Sequence, residues 1–316
     1  MPSQYLVTGG SGFIGSHIAT RLVERGDRVR ILDNLCASTV ENFAHIADDV
    51  EFIQADILDE EALAKAMKDV EVVFHHAALA SVPLSLEQPM AVHQATATGT
   101  LNVLNQARLN GVRRVVYAGS SSCYGDQPFS ANRETDTLRC LSPYAAGKLA
   151  GETYCQSFFE SFGLETVVLR YFNVFGPRQD PNSAYSAVIP LFITWLLSGK
   201  PPVVFGDGQQ SRDFCFVGNV VDGNMLAASV PEAAGKTFNL ANGRSTTLLQ
   251  LITELKEQLG VDIEPDFQPA RKGDIRDSLS DISRAVSVLG YNPNVDLKEG
   301  LKRSIEYYKS IVQPIG

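Results

Sequence analysis

The sequence predicts an α/β fold built on a doubly wound parallel sheet, with a second, smaller unit interleaved behind it. Three observations carry this. Short apolar runs alternate with amphipathic stretches through residue 173, and strands alternating with helices build a parallel sheet with helices on both faces. The first apolar run passes directly into a glycine triplet and then a helical pattern. After Asn173 the alternation loosens, and prolines and glycines gather at Phe175 to Pro190 and Gly199 to Gly208.

Taken in order, QYLVTGG reads as the first strand, and FIGSHIATRLVERG as a helix that stops at Gly26, glycine being the usual residue past a helix end. DRVRILDN is the second strand and VEFIQAD the third, followed by the helical EEALAKAM. VEVVFHHAA is the fourth strand, TGTLNVLNQARLNG a helix and VRRVVYAGS the fifth strand. PYAAGKLAGETYCQSFFESFG is a long helix and LETVVLRYFN a sixth strand. Later helices are expected at Thr247 to Leu259 and Leu297 to Ile311. The expected division is 1–173 and 174–316, with a soft boundary because the halves interleave.

Composition narrows the function. The 316 residues are 44% hydrophobic and 20% charged, an ordinary balance for a soluble chain able to bury a large core. A net charge of -9 argues against nucleic acid or an anionic membrane as the main partner. The five cysteines (Cys36, Cys123, Cys140, Cys155, Cys215) show no CxxC or metal-ligand spacing and suit a reducing, cytoplasmic compartment. No signal-peptide pattern and no apolar run of about 18 residues is present, and neither repeats nor low-complexity segments occur.

The first turn reads TGGSGFIG. Gly9, Gly12 and Gly15 form GxxGxxG, a variant of the Rossmann dinucleotide fingerprint. The first glycine allows a tight turn, the second lets backbone approach a pyrophosphate, and the third permits close helix–strand packing. The helix that follows aims its amides at the phosphates. Asp33 closes the second strand about 20 residues on, where an acid meets the ribose hydroxyls. Its charge repels a 2′-phosphate, and no arginine follows closely, so NAD is expected rather than NADP. Asp56 ends the third strand and is expected either beside the adenine or as a turn cap. His75 and His76 lack a third ligand nearby, so they are read as structural and no metal is expected.

SPYAAGK places Tyr144 and Lys148 at i and i+4, on one helix face. A nearby cation favours the phenolate, which makes Tyr144 a candidate general base. Ser120, Ser121 and Ser122 follow the fifth strand, so they share the strand C-terminal edge with the start of the Tyr144 helix. A serine run is otherwise ordinary turn chemistry.

Together, the GxxGxxG turn, the serine cluster and Tyr144-x-x-x-Lys148 resemble the extended short-chain dehydrogenase/reductase family, with its Rossmann-type sheet. RYFNVFGPRQDP (Arg170 to Pro181) and GDGQQSRDF (Gly206 to Phe214) are similar to the nucleotide-sugar 4-epimerases, most closely the UDP-N-acetylglucosamine 4-epimerases. The resemblance spans nearly the whole chain. It implies residues 1–173 as the NAD-binding domain and 174–316 as the UDP-sugar-binding domain. It implies Tyr144 as catalytic acid and base, Lys148 on the nicotinamide ribose and lowering the tyrosine pKa, and Ser120 as the catalytic hydroxyl. Ser121 and Ser122 fall on substrate contacts. Phe13, Ile14, Asn34, Ser38, Ile57, Ala77, Leu79 and Phe172 fall on cofactor positions. Asn173 falls on a diphosphate or sugar contact, and Val188, Val204 and Phe205 on the uridine pocket.

Arg212 in QSRDF and Arg271 in ARKGD match two arginines on the diphosphate, for which a planar fork is suited. Ser278 stands where a bulky residue in the family closes the sugar pocket to N-acetyl groups, so serine points to UDP-GlcNAc and UDP-GalNAc. Two features depart from the family. Thr96-Ala97-Thr98 replaces an asparagine-bearing stretch, leaving Thr98 as the expected cofactor neighbour. Gly147 sits mid-helix at a cost of about 1 kcal/mol against alanine, and close packing on the cofactor would account for it. The reaction implied is C4 epimerisation through a 4-keto sugar, by a homodimer. Rival readings are a UDP-glucose/UDP-galactose 4-epimerase, a 4,6-dehydratase, which the absence of an acid pair after Ser120 disfavours, and an NAD-sensing regulator, which the intact Tyr/Lys pair disfavours.

Overall fold

The computed structural model describes residues 3–127, 130–181, 187–270 and 275–312. β1 (Gln4–Thr8), α1 (Phe13–Glu24), β2 (Arg28–Asp33), β3 (Val50–Gln54), α2 (Glu60–Ala66) and β4 (Val72–His75) follow in turn. α3 (Val82–Glu87), α4 (Pro89–His93) and a π turn at Gln94–Thr98 precede α5 (Gly99–Leu109). These short pieces hold too few residues to show a helical period, and the sequence pattern did not reveal them. β5 (Arg114–Ser120), α6 (Pro143–Phe162) and β6 (Glu165–Tyr171) come next. The second half contains β7 (Val174–Phe175), α7 (Val188–Leu197), β8 (Val203–Phe205), β9 (Ser211–Arg212), β10 (Cys215–Phe216) and α8 (Val217–Ser229). It ends with β11 (Lys236–Leu240), β12 (Thr246–Thr247), α9 (Leu248–Leu259), β13 (Asp266–Gln268) and α10 (Leu297–Ile311).

The central sheet runs β11-β6-β5-β4-β1-β2-β3, with every pair parallel. Six strands were legible as apolar runs. The seventh, β11, comes from the second half and pairs with β6 from Lys236↔Val167 to Leu240↔Tyr171. Its KTFNL is short and half polar, so only the partner strand identifies it.

Alternate strand residues feed two cores. Val7, Ile31, Phe74, Val116 and Leu169 join the core that includes α1, α7, α8 and α9 residues. Leu6, Leu32, Val73, Val115 and Val168 join the core on the opposite face, with residues of α2, α5 and α6. This two-sided burial makes the strands near-continuous apolar runs. Leu104 and Phe158 belong to the second core, with Leu101 packed against it, whereas Leu109, Tyr154 and Phe162 on α5 and α6 are exposed.

α6 positions the chemistry. Ser142 accepts from the Ala145 N–H at 3.2 Å, Pro143 takes the first turn, and Gly163 ends the helix at φ 70°, the arrangement expected of caps at both ends. Gly147 and Gly151, one turn apart, let α6 sit close to its neighbours. A Cβ at Gly147 would overlap Thr96 Oγ1, and one at Gly151 would overlap the Tyr117 hydroxyl. Gly147 therefore serves helix packing against the π turn, not packing on a cofactor as the sequence had suggested. Thr96 cannot swing away freely, because its hydroxyl donates to the Val92 carbonyl at 2.6 Å. Gly147→Ala is expected to lose up to about 2 kcal/mol, since overpacking of about 1–3 kcal/mol is offset by a propensity gain of about 1. Thermal unfolding reads this, and Thr96→Ala in the same chain should restore most of the loss; no restoration would dismiss the contact as its cause.

A buried network ties α6, β6 and β11 together. Arg170 forks onto Glu152 at 3.0 and 2.5 Å and donates to the Tyr124 hydroxyl at 2.8 Å. Tyr124 in turn donates to Asn239 Oδ1 at 2.7 Å, and Asn239 donates to the Asn132 carbonyl at 2.9 Å. Among the described residues, no helix is long and apolar enough to cross a membrane, and no group of three or more His, Cys, Asp or Glu is placed to hold a metal.

Candidate active site

The sheet reverses its winding between β1 and β4, the place where such sheets bind ligands. The glycine turn lies there. Gly9 has φ 69°, and a Cβ on it would stand 2.5 Å from the Ala77 backbone nitrogen. A Cβ on Gly15 would overlap the Gly9 carbonyl, so α1 can approach the turn only with glycine here. Gly12 caps α1 without a side-chain hydrogen bond, which leaves the first-turn amides to a ligand. Phe13 and Ile14 supply two of them, while their half-buried side chains pack against the core. Asp33 is 6% exposed and does structural work as well. It accepts from Ser11 N at 3.0 Å, Leu35 N at 2.9 Å and Ser38 Oγ at 2.8 Å, tying the glycine turn to the loop after β2.

A cleft of about 270 Å³ opens over this turn. Gly9, Gly12, Asp33, Asn34, Ser38, Asp56, Ile57, Ala77 and Leu79 are among its lining. Asp56 serves as a turn cap, accepting from Leu58 N at 2.8 Å, and also accepts from Asn34 Nδ2 at 2.7 Å while lining the cleft. The amides, the acid at the second strand end and the narrow cleft fit the adenosine and pyrophosphate of a dinucleotide.

Two readings in this region differ from the structure. Thr98 is half-buried and the cleft is lined instead by Gln94 and Ala95, because the π turn shifts which residues of this stretch face outward. Phe172 has no exposed surface and packs with Tyr124 and Ala241. His75 is structural, held between Thr8 Oγ1 at 2.7 Å and Thr100 Oγ1 at 3.0 Å, but His76 lines the cleft and bonds the Tyr171 hydroxyl at 2.9 Å.

At the neighbouring strand end, Ser120 closes β5, and Ser121–Cys123 turn into a single 3₁₀ loop. Ser120 Oγ lies 2.8 Å from Ser122 Oγ, accepts from Ser122 N at 3.2 Å, and stands near enough to Tyr144 to draw the pKa of its phenol down. A row of three hydroxyls thus ends on Tyr144, the second residue of α6. Burial pushes the Tyr144 phenol up to about 12, and Ser120 draws it down only in part. Lys148 is 4% exposed. Its ammonium donates to the Ala118 carbonyl at 2.9 Å and lies 5.2 Å from the centre of the Tyr117 ring, and burial lowers its pKa to about 8. In the folded chain burial is the largest influence on Tyr144, and the Lys148 ammonium is turned toward β5.

A second cavity, about 300 Å³ and mainly apolar, lies under the second half. Asn173, Val188, Phe205 and Arg212 line it, together with Phe192 and Trp195, which the sequence pattern does not single out. Those two belong to the uniformly apolar VIPLFITWLL of α7, which reads as core from composition alone. Val204 is corrected: it has no exposed surface and faces the core. Arg212 Nη1 donates to the Ser211 carbonyl at 2.9 Å, beside the cavity. Ser278 is half-buried, its N–H on the Ser211 carbonyl at 3.1 Å. Arg271 lies outside the described residues. β5 stands between β4, whose end leads to His76, and β6, whose end leads to Asn173. Ser120 is therefore flanked by strand ends that lead to the two cavities.

Residues 5–241 match the model of the NAD dependent epimerase/dehydratase family. A UDP-glucose 4-epimerase of Mycolicibacterium smegmatis is 39% identical over 310 residues, covering 96% of this chain and 98% of the relative. A solved UDP-N-acetylglucosamine 4-epimerase of Methanobrevibacter ruminantium, bound to UDP-N-acetylmuramic acid, superposes with TM-score 0.94 at 39% identity, covering 98% and 100% of the two chains. A solved UDP-glucose 4-epimerase of Thermotoga maritima, bound to UDP-glucose, gives TM-score 0.93 at 38% identity with the same coverage.

Proposed function

The chain belongs to the NAD dependent epimerase/dehydratase family and is an NAD-dependent nucleotide-sugar 4-epimerase, and from that premise we propose that its substrate pair is UDP-GlcNAc and UDP-GalNAc. The observation that carries the mechanism is the Ser122–Ser120–Tyr144 hydroxyl row at the end of the strand between the two cavities.

Residues 1–173 would hold the cofactor and 174–316 most of the substrate. NAD supplies the hydride acceptor, the later hydride donor, and while oxidised a positive charge that favours the phenolate of Tyr144. Tyr144 takes the proton from the sugar 4-hydroxyl and returns it after the 4-keto sugar has turned over. Ser120 orients that hydroxyl, with Ser122 fixing Ser120 in place. Lys148 holds the nicotinamide ribose. Asp33 accepts from the adenosine ribose, Gly12 lets the backbone approach the pyrophosphate while its own N–H stays on the Gly9 carbonyl at 3.1 Å, and the Phe13 and Ile14 amides meet the pyrophosphate. Arg212 and Arg271 clamp the UDP, whose base fits the cavity of Val188, Phe205, Phe192 and Trp195. Exposed Leu109, Tyr154 and Phe162 on α5 and α6 would meet a second copy in a homodimer.

Incubation with UDP-GlcNAc, without added cofactor, followed by NMR of the anomeric protons tests this. UDP-GalNAc should appear; conversion of UDP-glucose alone would establish the rival substrate, which the M. smegmatis and T. maritima relatives favour. Ser278 supports the acetylated substrate through its small side chain. Ser278→Tyr is expected to lower conversion of UDP-GlcNAc by about tenfold or more while sparing UDP-glucose, since steric exclusion acts on the added group. Equal loss on both sugars would remove Ser278 from substrate choice.

A further inference from the structure

We propose that Cys123 and Cys140 form a modification site: a vicinal pair of thiols that closes to an intramolecular disulfide under disulfide stress and slows the enzyme. The sequence, with its scattered cysteines, gave no sign of a pair. The fold makes one. Cys123 ends the turn that carries Ser120, Ser121 and Ser122. Cys140 lies two residues before Ser142, the cap of the helix that carries Tyr144. The Arg139 N–H donates to the Cys123 carbonyl at 2.9 Å, so the two backbones run side by side at this point. Each thiol is near enough to the other to act on its ionisation. Cys123 is 1% exposed and Cys140 half-buried, and both are free thiols.

The accessibility sets the order of events. Cys140, the more exposed, attacks a low-molecular-weight disulfide and displaces one thiol, forming a mixed disulfide. Cys123 then attacks the Cys140 sulfur and displaces the second small thiol. Two protein thiols are oxidised, one small disulfide is reduced to two thiols, and no other reactant is needed. Burial raises the pKa of Cys140 and pushes that of Cys123 up to about 12. Both thiols therefore stay protonated at neutral pH, and the pair resists casual oxidation, since only the thiolate attacks.

The consequence follows from what Cys123 holds. Its S–H donates to the Ala145 carbonyl in the first turn of α6, at 3.5 Å. Forming the S–S bond removes that donor and draws the serine turn toward residue 140. That turn begins at Ser120, and the segment after Cys140 leads into the helix of Tyr144, so the two shift relative to one another and turnover should fall. The loss of activity rests on the epimerase reading; the cross-link does not.

The test uses the whole protein and oxidised glutathione at about pH 7 and about pH 8, with free thiols then alkylated and the digest mapped by mass spectrometry. The expected product is a peptide joining Cys123 to Cys140, formed about tenfold faster at the higher pH while both thiols lie above it. Conversion of sugar should fall at least about fivefold in parallel, and recover with dithiothreitol. Cys140→Ser should keep basal conversion and lose the sensitivity. Stable separate glutathione adducts, or a cross-link to another cysteine, would overturn the site. A linked product with unchanged conversion would overturn the regulatory effect and leave the epimerase reading untouched. If wild type converts no UDP-sugar at all, that reading fails, and the peptide map alone still decides the cross-link.

Discussion

Tyr144→Phe is expected to lower kcat by about 10³-fold, within the range of about 10²–10⁴ usual for loss of a positioned acid–base group. The phenol ends the Ser122–Ser120–Tyr144 row, and the serine hydroxyls beside it are far weaker acids that cannot take over its role. Phenylalanine keeps the ring, and Tyr144 contributes no cap to α6, which Ser142 provides. Folding and NAD content should therefore be unchanged, and binding of UDP altered little. The pH dependence separates this from a structural effect. Tyr144 must be an anion to take the proton, and the protein alone places its pKa at about 12. The wild-type rate should thus climb with pH through the neutral range, as the phenolate fraction grows. The climb should vanish in Tyr144→Phe. A variant that retains both rate and slope would move the base elsewhere.

Arg170→Met is expected to destabilise the fold by about 3–5 kcal/mol, the usual result of stranding one member of a buried ion pair. Arg170 and Glu152 are 3% and 12% exposed, so the remaining carboxylate has little water to turn to. The same change removes the donor to Tyr124, whose hydroxyl links onward to Asn239 in β11. Urea unfolding with an unchanged slope reads the loss. Arg170→Met combined with Glu152→Gln should recover much of it, because removing both charges removes the desolvation penalty. If the double variant is no better than the single one, the pair is not what stabilises this region.

The network also shows where sequence reading stops. RYFN was informative as a family motif, yet nothing local says that Arg170 reaches back to Glu152 on α6 and across to Tyr124. Nor does KTFNL announce a strand: β11 exists because β6 offers it a parallel edge. The same limit explains the cofactor cleft. Gly9, Gly12, Asp33 and Asp56 were legible, because a tight turn and a strand-end carboxylate are short-range requirements. Gln94 and Ala95 were not, because a π turn reassigns the faces of its stretch. Gly147 was visible as an anomaly in a helix, but its neighbour, Thr96, was not.

What the sequence determined by itself is the alternation that makes a parallel sheet, the glycine turn, and the placing of Tyr144 and Lys148 one turn apart on a helix. These depend on period and spacing within a few residues, which the chain carries locally. Tertiary structure alone decided the seventh strand, the apolar cavity of Phe192 and Trp195, and the pairing of Cys123 with Cys140. It also decided the state of Tyr144 and Lys148. Their spacing suggested a cation beside a phenol, but burial raised one pKa and lowered the other, and Lys148 turned to the Ala118 carbonyl. Desolvation is a property of everything packed around a group, and that is gathered from distant parts of the chain.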